Sequence, residues 1–288
     1  MDNITEQASV AFLTRPDGRI SYAVQGHGPL VVAVPGMGDL RSSYRELVAP
    51  LLDAGYRVAV TDLRGQGQSD TNFREHGDIA TARDIIALID KLGGPAVVLG
   101  NSMGASAAVW AAAERPDAVA GLVSYAPLLR EPPTSAVARA FNRALYRVAL
   151  MRPWGASFWA GYYRSINKGT TAPWLGEQVD AIRANLKEPG RLRSFRALAM
   201  GLDHSVVEAR IDEASAPHRA FIGSLDPDYP DAAAEVDWLN SIGVHAELVE
   251  NAGHYVHAQR PDAVLPATLR FLEGLRAASG DGWAARNA

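Results

Sequence analysis

Six short, largely apolar runs rich in β-branched residues recur along this chain, and between most of them lie segments whose apolar residues follow helical spacing. The runs are Leu30–Val34, Arg57–Thr61, Ala96–Leu99, Val119–Tyr125, Arg219–Ile222 and Ala246–Val249. Runs this short, without polar alternation, read as strands buried on both faces, as in a parallel sheet. The helical faces are Tyr44, Leu47, Val48, Leu51 and Leu52; Ala82, Ile85, Ile86 and Ile89; the alanine-rich stretch 105–113; and Val236, Leu239 and Ile242. Parallel strands joined through helices need crossovers, and these cover both faces of the sheet. The expected fold class is α/β: a mostly parallel sheet flanked by helices, binding its ligands at the strands' carboxyl ends.

Local chemistry refines this plan. Pro16-Asp17-Gly18 between residues 10–14 and 19–25 predicts an opening antiparallel hairpin. Ser43 and Glu46 have capping-box spacing and predict a helix start, with Gly55 ending the run. Pro266 falls inside the pattern Val264, Leu265, Leu269, Leu272, so the last helix is expected to begin later or to bend. Residues 279–288, rich in Gly and Ala, read as a flexible tail.

From Ala126 to Ser215 the alternation stops for roughly 90 residues, too many for a structureless loop in a compact domain. The expected organisation is a core domain over 1–126, an inserted helical cap over 127–215 and the rest of the core over 216–278. Trp154, Phe158 and Tyr162 at i, i+4 and i+8, with Trp159, Tyr163 and Trp174 nearby, give the insertion apolar helix faces. Such faces either pack the insertion onto the core or line a cleft that excludes water and selects apolar substrates. Trp154, Phe158, Trp159 and Tyr255 are the candidates for substrate contact.

Composition excludes whole classes of chemistry. A chain of 288 residues with 48 % apolar residues can bury one large core, and zero cysteines rule out disulfides, thiolate catalysis and cysteine-ligated metals. A net charge of −4 without a basic cluster suited to a phosphate backbone argues against nucleic acid as a partner. Residues Met1 to Glu6 lack the basic start and apolar core of a secretory signal, and no apolar run nears the ~20 residues of a membrane span. A cytoplasmic protein without a membrane partner is expected. The sequence carries no signature of oligomeric state.

Gly100-Asn101-Ser102-Met103-Gly104 joins the third apolar run directly to the alanine-rich helix. A strand that turns at once into a helix bends sharply, and flanking glycines remove the Cβ atoms that would clash. Ser102 is then held at the sheet's carboxyl edge, with a helix N-terminus behind it that favours negative charge. A serine hydroxyl needs a base, and the base needs a carboxylate to orient it. Asn251-Ala252-Gly253-His254-Tyr255 follows the last strand and offers His254, favoured over His257, which is expected to open the last helix and cap or pack there. His27, His76, His218 and His245 adjoin turns or strand beginnings and read as surface residues, and His204 lies in the insertion. Gly223-Ser224-Leu225-Asp226-Pro227-Asp228 ends the fifth run and supplies Asp226, with Asp228 as its rival. Backbone N–H groups of Met103 and of Met37, in Pro35-Gly36-Met37-Gly38-Asp39, are placed to hold an oxyanion.

With these residues in order, the chain resembles the α/β-hydrolase superfamily, as a serine-nucleophile member with a helical cap. The resemblance runs from the opening hairpin to the final helix and includes Asp62-Leu63-Arg64-Gly65-Gln66-Gly67-Gln68-Ser69-Asp70, a mainly structural signature of that superfamily. It departs at Pro35-Gly36, where such enzymes usually have His-Gly. Haloalkane dehalogenases and epoxide hydrolases of this fold carry aspartate at the elbow, where this chain has Ser102. Carbon–carbon bond hydrolases often read Gly-Asn-Ser-Met-Gly-Gly there, and Ala105 replaces their last glycine. The resemblance implies a triad of Ser102, Asp226 and His254. It implies cleavage of an ester-like bond (carboxylic ester, lactone or thioester) of a small, largely apolar substrate through an acyl-enzyme, with no metal or organic cofactor. The alternatives are carbon–carbon cleavage of a diketone-type substrate and a small-molecule receptor of the same fold.

Overall fold

A computed structural model of the chain describes residues 9–131, 144–278 and 283. Its centre is an eight-stranded sheet in the order β1-β2-β4-β3-β5-β6-β7-β8. The strands β1 (Val10–Arg15) and β2 (Gly18–Gln25) form an antiparallel hairpin closed by the Arg15↔Gly18 pair, and β2 pairs antiparallel with β4 (Arg57–Thr61). All remaining pairings, among β3 (Leu30–Val34), β4, β5 (Ala96–Asn101), β6 (Val119–Tyr125), β7 (His218–Gly223) and β8 (His245–Val249), are parallel.

The apolar runs become central strands because both of their faces are covered. In β3 every residue is buried, and the period of two sends Leu30, Val32 and Val34 into one core layer and Val31 and Ala33 into the other. The first layer is filled by α2 (Asp78–Leu92), α3 (Met103–Glu114) and Leu239 of α8 (Ala232–Ser241). The second is filled by α1 (Arg45–Asp53) and α10 (Pro261–Ala278). Helix α3 is buried over Met103–Ala112, as its alanine content permits.

Between β6 and β7 lie α4 (Gly155–Ile166), α5 (Leu175–Lys187), α6 (Arg191–Gly201) and the short α7 (Ser205–Glu208). They carry a third apolar cluster of their own, in which Trp159, Tyr163, Val179, Ile182 and Phe195 meet Tyr255 and Ala258 from the segment after β8. The inserted helices are thus seated on the rim that holds the carboxyl ends of the strands.

Several local expectations are corrected. Ser43 does not cap α1: a 3-10 turn over Arg41–Tyr44 precedes the helix, no side-chain cap bond is made, and Glu46 accepts from Trp174 Nε1 at 2.7 Å instead. Helix α10 starts at Pro261, before the predicted region, where a first-turn proline loses no intrahelical bond, and it runs on through Pro266. The expected flexible tail fails at Trp283, whose ring stacks on Tyr56 with centroids 5.8 Å apart and whose Nε1 donates to Leu30 O at 2.9 Å; the rest of 279–288 lies outside the described residues. His218 is buried rather than exposed, held at 2.7 Å from Ser124 Oγ, because it starts an inner strand of the sheet.

Candidate functional site

Parallel strands all end at one rim, so residues far apart in sequence that follow β3, β5, β7 and β8 meet there. Ser102 follows β5 and takes φ 52°, a left-handed backbone conformation that few side chains adopt. The flanking glycines explain how it is tolerated. A Cβ on Gly100 would lie 2.4 Å from Ala105 Cα, and one on Gly104 would lie 2.5 Å from Val34 O and 2.6 Å from Pro35 O. The turn is pinned by Ser102 N–H donating to Tyr125 O (2.9 Å) and by Ser102 O accepting from Ala105 and Ser106 N–H. Sharp bend and absent Cβ atoms together hold Ser102 at the rim, 8 % exposed.

His254 follows β8 and is 2 % exposed. Its N–H donates to Ile166 O at 3.0 Å, and its carbonyl accepts from Asn101 Nδ2, beside Ser102, at 3.2 Å. The same Asn101 amide reaches Tyr125 O at 3.0 Å, tying the ends of β5 and β6 to the His254 loop. His254 Nδ1 lies 2.8 Å from Asp226 Oδ2, and since a carboxylate only accepts, Nδ1 carries the proton and donates. Nε2 is thereby the nitrogen left free to exchange a proton with a hydroxyl. Asp226 Oδ1 accepts from Asp228 N–H at 3.0 Å, which fixes the carboxylate's orientation.

Asp228, the rival carboxylate, is present as well, with Oδ2 3.4 Å from His254 Nδ1. Burial opposes a charge on His254, yet Asp226 and Asp228, with Asp39 behind them, overcome it and raise its pKa to about 9. His257 takes no part. It lies fully buried in the short α9 (Val256–Gln259), stacked 4.7 Å from Tyr44, and burial drives its pKa down to about 3. His204 pairs with Asp78 at 3.0 Å between α2 and α7. Asp226, Asp228 and His254 also offer three atoms within 4.8 Å of one another, a spacing a cation could use. The Nδ1–H bond to Asp226 and the raised His254 pKa fit a proton there better than a metal.

The loop after β3 is packed directly on the elbow: a Cβ on Gly36 would come 3.0 Å from Ser102 Cβ. Gly38 N–H goes to Gln66 Oε1 (2.9 Å) and Asp39 N–H to Gly36 O (3.2 Å). Among the described residues, neither Met37 N–H nor Met103 N–H is engaged by a backbone or side-chain acceptor. Met103 opens α3, whose first turn leaves such a donor free, and Met37 lies in the turn after β3. The 62–70 stretch buttresses this loop. Asp62 accepts from Ser21 Oγ at 2.8 Å and from Arg41 N–H at 3.0 Å, and Arg64 grips Asp84 through two bonds of 2.6 and 2.8 Å.

Trp159 and Tyr255, two of the four predicted substrate contacts, do lie at the site. Trp159 Nε1 donates to Gly38 O at 2.9 Å, and Tyr255 stands edge-on to His254 and packs on Tyr163. Trp154 and Phe158 are not brought to Ser102 but stand half exposed at the start of α4. Tyr162, one turn beyond Phe158, points inward, with its hydroxyl 3.5 Å from Asp228 Oδ1.

Sequence reasoning missed Asp39. It is wholly buried two residues past Met37, and Oδ1 accepts from Gln178 Nε2 (2.7 Å) and Leu40 N–H (2.8 Å). Burial raises its pKa to about 6, against the pull of these hydrogen bonds. Its partner Gln178 sits on α5, more than a hundred residues away, so no local pattern reveals the pair.

A model of the alpha/beta hydrolase family matches residues 31–267. Among curated proteins, epoxide hydrolase A of Mycobacterium tuberculosis is 29 % identical, over 89 % of this chain and 94 % of that protein. Human monoglyceride lipase is 26 % identical, over 81 % and 77 %. Among solved structures, a thermophilic esterase from Thermogutta terrifontis superposes with a TM-score of 0.72 at 23 % identity, covering 93 % of this chain and 99 % of that one.

Proposed function

Because the chain belongs to the alpha/beta hydrolase family, we propose that it is a serine hydrolase that cleaves an ester-like bond of a small, largely apolar substrate by two-step acyl transfer. The observation that carries this reading is the meeting at one rim of a strained, glycine-flanked Ser102 and a buried His254 whose Nδ1 is held 2.8 Å from Asp226. The name of the relative from Mycobacterium tuberculosis suggests epoxide opening. An aspartate ester intermediate of that kind needs a carboxylate where this chain has Ser102.

In the proposed cycle Ser102 Oγ attacks the carbonyl carbon as neutral His254 takes its proton at Nε2. The oxyanion is held by Met37 and Met103 N–H, and the imidazolium by Asp226. Collapse expels the alcohol, thiol or ring oxygen, which takes the proton from His254. Water activated by His254 then releases the acid and restores Ser102. Apart from the hydrolytic water, each step uses side chains and backbone donors of this chain. Trp159, clamped on Gly38 O, makes the inserted helices part of the oxyanion loop's support, and it and Tyr255 are both buried beside the site.

A fluorophosphonate probe tests the assignment. Native protein is expected to be labelled and to turn over p-nitrophenyl esters, and Ser102→Ala to lose labelling and several powers of ten in turnover while keeping its fold. Retention of most activity by Ser102→Ala refutes the role of Ser102. Screening acyl-chain lengths, lactones, thioesters and vinylogous diketones on the wild type then identifies the bond cleaved.

A further inference from the structure

From Pro132 to Gly176 the chain has no Asp or Glu but six cations: Arg139, Arg143, Arg147, Arg152, Arg164 and Lys168. With 32 acids in 288 residues, a stretch of this length would carry about five. An overall net charge of −4 thus conceals a sequence segment of net +6. Arg147, Arg152, Arg164 and Lys168 are described, and all four are exposed.

The same segment holds five of the seven large hydrophobic side chains exposed among the described residues. Phe12 on the hairpin has the Arg19 guanidinium over its ring. The other six are Leu145, Val148, Met151, Trp154, Phe158 and Leu225, between 39 % and 56 % exposed. They are joined in structure. Trp154 Nε1 donates to Val148 O at 3.1 Å, Phe158 lies one turn along α4 from Trp154, and Leu225 adjoins Asp226. One further turn along α4 brings the stripe to Tyr162 and the Asp228 carboxylate. The exposed apolar side chains of α4 therefore end one turn before Tyr162, whose hydroxyl reaches Asp228 Oδ1, with cations and no acid on their own segment.

We propose that this face of the inserted helices docks on an anionic lipid bilayer, with Trp154, Phe158, Val148 and Met151 entering the headgroup boundary and the arginines meeting lipid phosphates and carboxylates. Aromatic and aliphatic side chains beside Arg or Lys, without acids, are the composition of an interfacial surface, and long basic side chains reach back to the headgroups. A second copy of this chain fits worse, because a two-fold contact sets the same cationic patch against itself. No described helix is long and apolar enough to cross a membrane, so the association is with the surface. This revises the expectation of no membrane partner, which was argued from spanning segments alone. Resting on the hydrolase reading, one consequence follows: an amphiphilic ester can pass from the bilayer along Trp154, Phe158 and Tyr162 toward Ser102.

Flotation with vesicles tests the docking independently of turnover, using wild type, Ser102→Ala and two surface variants, Val148→Asp/Met151→Asp and Arg147→Glu/Arg152→Glu. Wild type and Ser102→Ala are expected to float with phosphatidylcholine vesicles containing about 30 mol % phosphatidylserine, less so at high salt, and not with phosphatidylcholine alone. Each surface variant is expected to lower partition about tenfold or more while keeping wild-type Tm and turnover of a short, water-soluble p-nitrophenyl ester. If a variant loses Tm, quenching of wild-type tryptophan fluorescence by brominated lipid supplies the second readout. Absence of flotation with any vesicle overturns the proposal, as does binding that both variants leave unchanged. A dimer in sedimentation velocity that Val148→Asp/Met151→Asp dissolves, without vesicle binding, assigns the face to a second copy and overturns it too. Wild type that floats but cleaves no ester refutes the hydrolase reading and leaves the docking standing.

Discussion

Replacing Asp228 by asparagine should move the pH dependence of the enzyme toward neutrality. In the proposed cycle His254 must be neutral to accept the Ser102 proton, so kcat/KM rises with pH through the His254 pKa, about 9 in the resting protein. Asp228 Oδ2 stands 3.4 Å from Nδ1, but the Nδ1 proton is already given to Asp226 at 2.8 Å, so Asp228 acts through its charge. At that separation the attraction is about 1.2 kcal/mol at the dielectric constant of water and about 5 kcal/mol at an effective constant of 20. Those limits correspond to about 0.9 and 3.6 pH units. The Asp228 side chain is 27 % exposed whereas that of His254 is 3 % exposed, so solvent screens the pair from one side and the shift falls toward the lower limit. Asp228→Asn is therefore expected to lower the acid limb of kcat/KM by about one to two units, to between about 7 and 8. Near pH 7 the variant should turn over a p-nitrophenyl ester faster than wild type, and at pH 10 more slowly, because a weaker base transfers the proton less well. Both profiles follow from initial rates across pH 5 to 10.5. An acid limb that stays in place or moves upward refutes the argument.

Other perturbations read the rest of the site. Asp39→Asn removes a buried acid whose folded pKa, about 6, exceeds its unfolded value, so wild type loses stability as pH rises from about 4 through 6 and the variant does not. The variant's advantage should grow across that window to at most about 3 kcal/mol, measured by urea unfolding; an equal difference at pH 4 and pH 7 contradicts it. For His254 the sign is the same for another reason. Its stabilisation is complete below about 6.5 and is lost as pH rises through 9, so His254→Asn should narrow the stability gap to wild type in that interval. Gly104→Ala should destabilise by about 1–3 kcal/mol or more, since its Cβ would meet two backbone carbonyl oxygens that cannot yield. Gly274→Ala, in α10 with open space around its Cβ, should stabilise by about 0.5–1 kcal/mol. Thermal melts of the two variants that move in the same direction would undo that contrast.

Much of this molecule is written locally in its residues. Every apolar run became a strand because a both-faces-buried strand needs only short, β-branched, uninterrupted sequence, and Gly100 and Gly104 announce the elbow because only glycine fits where its Cβ would strike backbone. Details of the ends were harder to read. Ser43 and Glu46 have the right spacing for a cap, but the 3-10 turn that precedes α1 and the reach of Trp174 from the inserted helices drew both away. Trp283 reads as part of a tail, yet it is buried because Tyr56 and the Leu30 carbonyl, remote in sequence, offer it a stacking partner and an acceptor. Sequence alone determined the strands of the sheet, the helices that cover it and the glycine-flanked turn at Ser102, since each follows from neighbouring residues. Only the tertiary structure decided that Asp226 and Asp228 both face His254, that Asp39 lies buried behind the loop after β3, and that Val148, Met151, Trp154 and Phe158 of the inserted segment stand exposed. Charge and burial depend on distances between segments that sequence separation does not encode.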